Sequence, residues 1–215
     1  KGKDVYGVLM MQHMLDAAGL LEQALKMESY GAQGIILMDS AGWSLPHDVR
    51  EKTKALVGGL SVPVGFHAHN NLSMAVANSI EAVEAGALII DGTSRGFGAG
   101  AGNCALEALV AILNRLDVPT GADLYTLLDN SETIVTSFGA AIPTVNSTTL
   151  LSGLAGIFSG FCPLAEKAAA RFKVDVRDII MELGKRRVVA GQEDFIVEIA
   201  MELAEKKAKD LACTF

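Results

Sequence analysis

Over the first 116 residues, short apolar runs alternate with amphipathic stretches. The runs are DVYGVLMM (4–11), GAQGIILMDS (31–40), VPVGFHAH (62–69) and ALIIDGTS (87–94). Each leads through a polar or glycine-containing turn into apolar positions at helical spacing, over about 14–31, 45–59, 73–86 and 104–116. The unit recurs roughly every 25–30 residues, the size of one strand plus one helix. The runs are nearly continuously apolar instead of alternating, which predicts strands covered on both faces of a parallel sheet.

Beyond residue 121 the pattern is helical, with no convincing strand. DLYTLLDNSETIVTSF predicts a helix up to Gly139, and AAIPTVNSTT (140–149) predicts a loop because Pro143 blocks helix. A helical stretch over 148–172 is interrupted near Pro163. DVRDIIMELGKRR offers Asp175 as an N-cap and Gly184 as a C-terminal stop. EDFIVEIAMELAEKKAKDL has helical apolar spacing and a lysine-rich end that suits the helix dipole. The expected division is therefore 1–118, a set of βα units, and 119–215, an all-helical unit.

Polar residues cluster where the predicted strands end: Gln12 and His13, Asp39 and Ser40, His67 and His69, Asp91 and Thr93. Parallel α/β folds carry their chemistry at those ends. Four such units correspond to half of a (β/α)8 barrel, which needs about 250 residues when complete.

Composition narrows the function classes. Half of the 215 residues are hydrophobic, 6% are aromatic, and mean hydropathy is +0.34, so a sizeable core can be buried. A net charge of −7 argues against nucleic acid and gives no basic patch for a membrane surface. No run approaches a membrane span or a secretory leader. Cys104, Cys162 and Cys213 are odd in number and widely spaced, which predicts free thiols and a reducing cytoplasm.

His67 and His69 stand out among only four histidines. Positions i and i+2 of a strand point to one side, so the two imidazoles aim together while Ala68 faces away. They read as a pair of metal ligands or as two hydrogen-bonded histidines at a wet strand end. Asp39 is a ligand, an acceptor behind the ligands, or a cap of the polar turn that follows it. Ser40 can donate to a substrate carboxylate. Asn71 is expected to cap a helix starting at Leu72.

RGFGAGAGNCALEAL (95–109) is glycine-dense but lacks dinucleotide spacing. Ala101 and Asn103 stand where the third glycine of G-x-G-x-x-G belongs. A tight turn is the better reading, with Asn103 ordering the base of a metal site or merely packing. His13 and His47 are isolated and read as surface or supporting residues. Cys104, at a predicted helix start, has no base beside it and reads as structural, and no serine sits in a nucleophile elbow.

GFHAHNNLSMAVANSIEAVEAGA, GFGAGAGNCALEAL, DLYTLLD and GKRRVVAGQEDFIVEIA together resemble the 4-hydroxy-2-oxovalerate aldolases, class II pyruvate aldolases of meta-cleavage aromatic and sterol degradation, over about residues 4–205. The H-x-H-N and glycine-rich pattern alone also fits isopropylmalate and homocitrate synthases; AGQED near the end points to the aldolases. The resemblance implies the second half of a (β/α)8 TIM barrel, strands five to eight, followed by an all-helical communication domain. It implies a divalent ion, usually Mn2+, on His67 and His69, with Ser40 helping to hold a pyruvate carboxylate. It also implies a complex with an acylating acetaldehyde dehydrogenase to which the aldehyde passes. Phe158 falls where the family's active-site tyrosine is expected and lacks its hydroxyl. The family's R-D-G stretch, with the third metal ligand, an arginine and a nearby histidine base, has no counterpart here.

Three readings follow. The first is metal-dependent retro-aldol cleavage of 4-hydroxy-2-oxoacids to pyruvate and an aldehyde, in an oligomeric cytoplasmic enzyme of which this chain is a C-terminal piece. Alternatively, the missing half is encoded separately, or self-association supplies Asp39 or Asp91 as the third carboxylate. The second reading is an acyl-CoA condensing enzyme of the same metallo-barrel group. The third is a non-catalytic module that docks a dehydrogenase.

Overall fold

A computed structural model of the protein describes residues 2–139 and 141–212. Four βα units open the chain: β1 (Tyr6–Leu9), α1 (Ala17–Ser29), β2 (Gly34–Asp39), α2 (Pro46–Gly59), β3 (Val64–Ala68), α3 (Ala75–Glu84), β4 (Ile89–Ile90) and α4 (Leu106–Arg115). The strands pair in sequence order, all parallel, with Met38 beside His67 and Asp39 beside Ala68. Each helix packs on the next. Sequential order without a switch point is the winding of a barrel, not of a doubly wound sheet. The expected half-barrel is therefore the observed architecture.

Strand alternation sorts the side chains. Ile35, Leu37, Val64, Phe66 and Ala68 point toward the helices and join Leu20, Leu56 and Leu109 in a buried core. The intervening positions, including Ile36, Met38 and His67, turn to the opposite face. Where a polar side chain precedes a helix, it satisfies a free backbone N–H group of the first turn. Asp16, for example, accepts from Gly19 N at 2.8 Å.

Two elements are shorter than the apolar pattern suggests. β1 stops at Leu9 because Met11 turns left-handed (φ 51°) into a 3-10 turn over Gln12–Met14. β4 is only Ile89–Ile90, because the returning glycine-rich segment captures the backbone beyond it. Thr93 N donates to Cys104 O at 3.0 Å, and Leu106 N donates to Thr93 O at 3.0 Å.

Every later regular element among the described residues is helical: α5 (Leu124–Phe138), α6 (Ser147–Ala155), a 3-10 turn (Ser159–Phe161), α7 (Cys162–Phe172), α8 (Val176–Lys185) and α9 (Asp194–Ala212). α5 packs on α4 and on the 3-10 turn at Ser94–Gly96. The other helices enclose a second core that includes Ile157, Phe161, Ile179, Ile180, Leu183, Ile196 and Ile199. Gly139 ends α5, and Asp175 caps α8 by accepting from Arg177 N at 2.9 Å.

Two expectations about this part are corrected. The helix is interrupted between Ala155 and Ser159, ahead of Pro163, which lies in the first turn of α7 where its missing N–H costs nothing. Gly184 does not stop α8; it lies inside the helix. A Cβ there would sit 2.7 Å from Ala155 O, so the glycine lets α8 and α6 touch, and the left-handed residue beyond the helix is Arg187 (φ 54°). Cys104 and Cys162 are buried free thiols, while Cys213 lies outside the described residues. Among the described residues no helix is long and apolar enough to cross a membrane.

Candidate metal centre at the strand ends

His67 lies in the last turn of the pleat of β3, and His69 is the first residue beyond it. Their ring centroids are 5.1 Å apart with the planes at 68°, while Ala68 between them is fully buried in the core. Nδ1 of His67 lies 2.5 Å from Oδ1 of Asp91, just past β4. Nδ1 of His69 lies 3.3 Å from the carbonyl oxygen of Ala99 in the glycine-rich loop. Both partners are acceptors, so Nδ1 carries the proton in each neutral ring and Nε2 keeps its lone pair. Burial, reinforced by the neighbouring His67, lowers the pKa of His69 to about 4, so this ring is neutral at pH 7.

Metal-bound histidines characteristically donate their second ring nitrogen to a carboxylate or a backbone carbonyl. His67 and His69 do one each, so the pair fits two positions of a divalent ion's coordination set. Among the described residues no group of three His, Cys, Asp or Glu side chains closes such a set.

Asp39 is used elsewhere. It is fully buried, and its two carboxylate oxygens accept from Trp43 N at 3.0 Å and Ser44 N at 3.1 Å. Burial raises its pKa to about 6 against those hydrogen bonds. Of the sequence alternatives, it is thus the organiser of the turn after β2.

Ser40 is fully buried at the next position. Its Oγ accepts from Met11 N at 3.0 Å, which leaves its own O–H to donate. Its carbonyl accepts from Ser159 N at 3.1 Å. That bond brings the backbone beside Phe158 to the same strand end, while its half-buried ring packs on the helical core, edge-on to Phe161 at 5.6 Å.

Asn71 does not cap a helix. α3 starts at Ala75, after a left-handed Ser73 (φ 59°), and Ala75 N donates to Asn70 Oδ1 at 3.3 Å. Asn71 is fully buried and donates through Nδ2 to Ser152 Oγ at 2.8 Å and Ser159 Oγ at 3.0 Å; its Oδ1 accepts from Ala101 N at 2.9 Å. Asn103 pairs its backbone with His69 as an isolated bridge and donates its amide to Phe97 O at 3.2 Å. Burial pushes the Cys104 thiol up to about 11, in keeping with a structural role.

His47 is exposed beside Asp48. His13, by contrast, is lodged between the two parts of the chain, with Nε2 3.0 Å from Gly156 O. Sequence reasoning missed this link and that of Asn71. The available signal was a set of polar residues, Ser152 and Ser159, inside the apolar stretch LLSGLAGIFSGF.

A protein-family model described as HMGL-like matches residues 1–134, and one described as a DmpG-like communication domain matches residues 143–205. A 4-hydroxy-2-oxovalerate aldolase of Pectobacterium atrosepticum is 55% identical over 205 residues, 95% of this chain and 60% of that protein. The aldolase of Spirochaeta aurantia is 53% identical over 206 residues, 96% of this chain and again 60% of the relative. The chain thus spans about three fifths of the length of the curated relatives it matches. Among solved structures, the carboxyl transferase domain of Rhizobium etli pyruvate carboxylase with 3-hydroxypyruvate superposes with a TM-score of 0.79 over 94% of this chain and 37% of that one. At 18% identity that likeness speaks for the fold alone. The half-barrel with its histidine pair and the helical bundle behind it match these two models in turn, and the chain belongs to the HMGL-like family, with a DmpG-like communication domain following the barrel strands.

Proposed function

We propose that the chain is the C-terminal part of a 4-hydroxy-2-oxovalerate aldolase, a carbon–carbon lyase that cleaves 4-hydroxy-2-oxoacids to pyruvate and an aldehyde. The observation that carries this reading is the histidine pair with both Nδ1 atoms hydrogen-bonded, in a chain about half identical to proteins of that name. His67 and His69 would hold the divalent ion, Mn2+ by family resemblance, through Nε2. When bound, such an ion supplies Lewis-acid polarisation of the substrate's 2-oxo group.

The chain's own side chains have separate tasks. Asp91 and the Ala99 carbonyl hold the two rings in one orientation and one tautomer. Ser40 donates its hydroxyl hydrogen to the pyruvate carboxylate. Phe158 packs against the aldehyde portion without a hydroxyl to offer a proton. The third metal ligand, the arginine and the base belong to the family's R-D-G stretch, which these residues lack.

In this reading residues 1–118 are the catalytic half-barrel, with strands five to eight. Residues 119–215 are the communication unit, bonded to the strand ends of the half-barrel through Ser152, Gly156 and Ser159 and docking an acylating aldehyde dehydrogenase that receives the aldehyde. The natural setting is an oligomeric cytoplasmic enzyme of aromatic-compound catabolism.

The test is a Mn2+ titration followed by EPR, with and without pyruvate, on the protein and on His67→Ala. The expected result is Mn2+ binding whose spectrum changes with pyruvate and which His67→Ala abolishes. Binding indifferent to His67→Ala, or pyruvate release that requires CoA, would overturn the reading. Dehydrogenase capture without metal-dependent turnover in the intact protein would favour the docking module instead.

A further inference from the structure

One eight-residue stretch of the helical part, Ser152–Ser159, is bonded to the residues that follow three successive barrel strands. After β1, His13 Nε2 donates to Gly156 O at 3.0 Å. After β2, Ser159 N donates to Ser40 O at 3.1 Å. After β3, Asn71 donates to the hydroxyls of Ser152 and Ser159. The third contact alone of these leads on to the glycine-rich loop, because Asn71 also accepts from Ala101 N at 2.9 Å. Ala101 stands two residues beyond Ala99, whose carbonyl is the partner of His69 Nδ1. Gly100 between them is left-handed (φ 64°), and a Cβ there would sit 2.5 Å from Asn71 Oδ1. The loop therefore lies directly against the Asn71 amide.

We propose that Asn71 is a positioning residue that sets the orientation and tautomer of His69 through the 99–101 loop, and so makes that ring depend on the seating of Ser152–Ser159. The physical basis is a buried amide with both of its polar atoms engaged. Removing its partners leaves a desolvated donor or acceptor, and the backbone it holds shifts to find another. His67 is oriented differently, by Asp91 past β4, with no hydrogen bond to the helical part among the described residues. A disturbance of the helical unit at this point reaches one histidine and spares the other. That asymmetry separates positioning from general packing. The link rests on the hydrogen bonds alone, whereas its consequence for Mn2+ rests on the reading proposed above.

The test is long-range 1H–15N NMR of the histidine rings at pH 8 in the intact, metal-free protein, with Mn2+ affinity measured in parallel. The variants are Asn71→Ala and the double change Ser152→Ala with Ser159→Ala, which keeps the Asn71 side chain but removes both acceptors of its amide, so that the amide and the loop it holds are free to shift. The wild type is expected to show the Nδ1–H tautomer at both histidines. Both variants are expected to shift His69 toward the Nε2–H form, to leave His67 unchanged, and to weaken Mn2+ binding by about tenfold, the low end for residues behind metal ligands. An unchanged His69 tautomer in the double variant, with only a lowered melting temperature, would overturn the proposal, as would equal changes at both histidines. If Asn71→Ala does not fold, the double variant decides. If the wild type binds no Mn2+, the metal reading fails and the NMR result still decides the link.

Discussion

Acidification offers a direct test of how His13 is buried. Its ring lies 5.5 Å from that of Trp43, its Nε2 donates to Gly156 O, and its buried Nδ1 has no hydrogen-bond partner among the described residues. Burial holds its pKa down at about 4, with the Gly156 bond opposing and the cations Lys52 and Arg187 adding to the effect. The native state therefore prefers the neutral ring, while the unfolded chain takes up a proton below about pH 6.5. The stabilisation is complete above that value and is lost as pH falls toward 4. The full shift corresponds to about 3 kcal/mol, and about 2 kcal/mol of it is gone at pH 5.

The assay is urea unfolding at pH 7.5 and pH 5 for the wild type and His13→Asn, whose amide can still donate to Gly156 O but does not titrate. His69 loses stability over the same window and in the same direction. Asp39, raised to about 6, acts oppositely: its stabilisation is present below about pH 3.8 and is lost as pH rises through 6. Both groups are common to the two proteins and cancel in the difference. The expected outcome is a wild-type-minus-variant stability that falls by about 2 kcal/mol between pH 7.5 and pH 5. Parallel pH profiles would refute the reasoning and place His13 in water.

Two further substitutions have defined outcomes. Asp91→Asn removes the carboxylate that orients His67 and is expected to weaken Mn2+ binding about 10–100-fold with an unchanged circular dichroism spectrum; unchanged affinity in an EPR titration would remove Asp91 from the site. Gly184→Ala would stabilise an isolated helix by about 1 kcal/mol. Here the added methyl meets Ala155 O at 2.7 Å, so a loss of about 1–3 kcal/mol in urea unfolding is expected, and a gain would mean that α6 and α8 are not in contact.

Much of the architecture was legible because it is encoded locally. Apolar runs of strand length followed by helical periodicity specify four βα units, and strand alternation alone puts His67 and His69 on one side. Asp175 and Gly139 act as read because caps depend on neighbours two to four residues away. Other assignments depended on residues remote in the chain. Asn71, locally a plausible cap, instead bonds Ser152 and Ser159, 81 and 88 positions away. His13 reaches Gly156 across 143 positions. Gly184 reads locally as a helix end, but α6 lies against it, and β4 is cut short by a loop returning through Cys104. By itself the sequence determined the elements and which side of β3 the imidazoles occupy, because backbone periodicity sets both. Only the tertiary structure decided which partner each ring nitrogen faces and what Asn71 holds together, because a buried polar group takes its partner from whatever the fold brings within hydrogen-bonding distance.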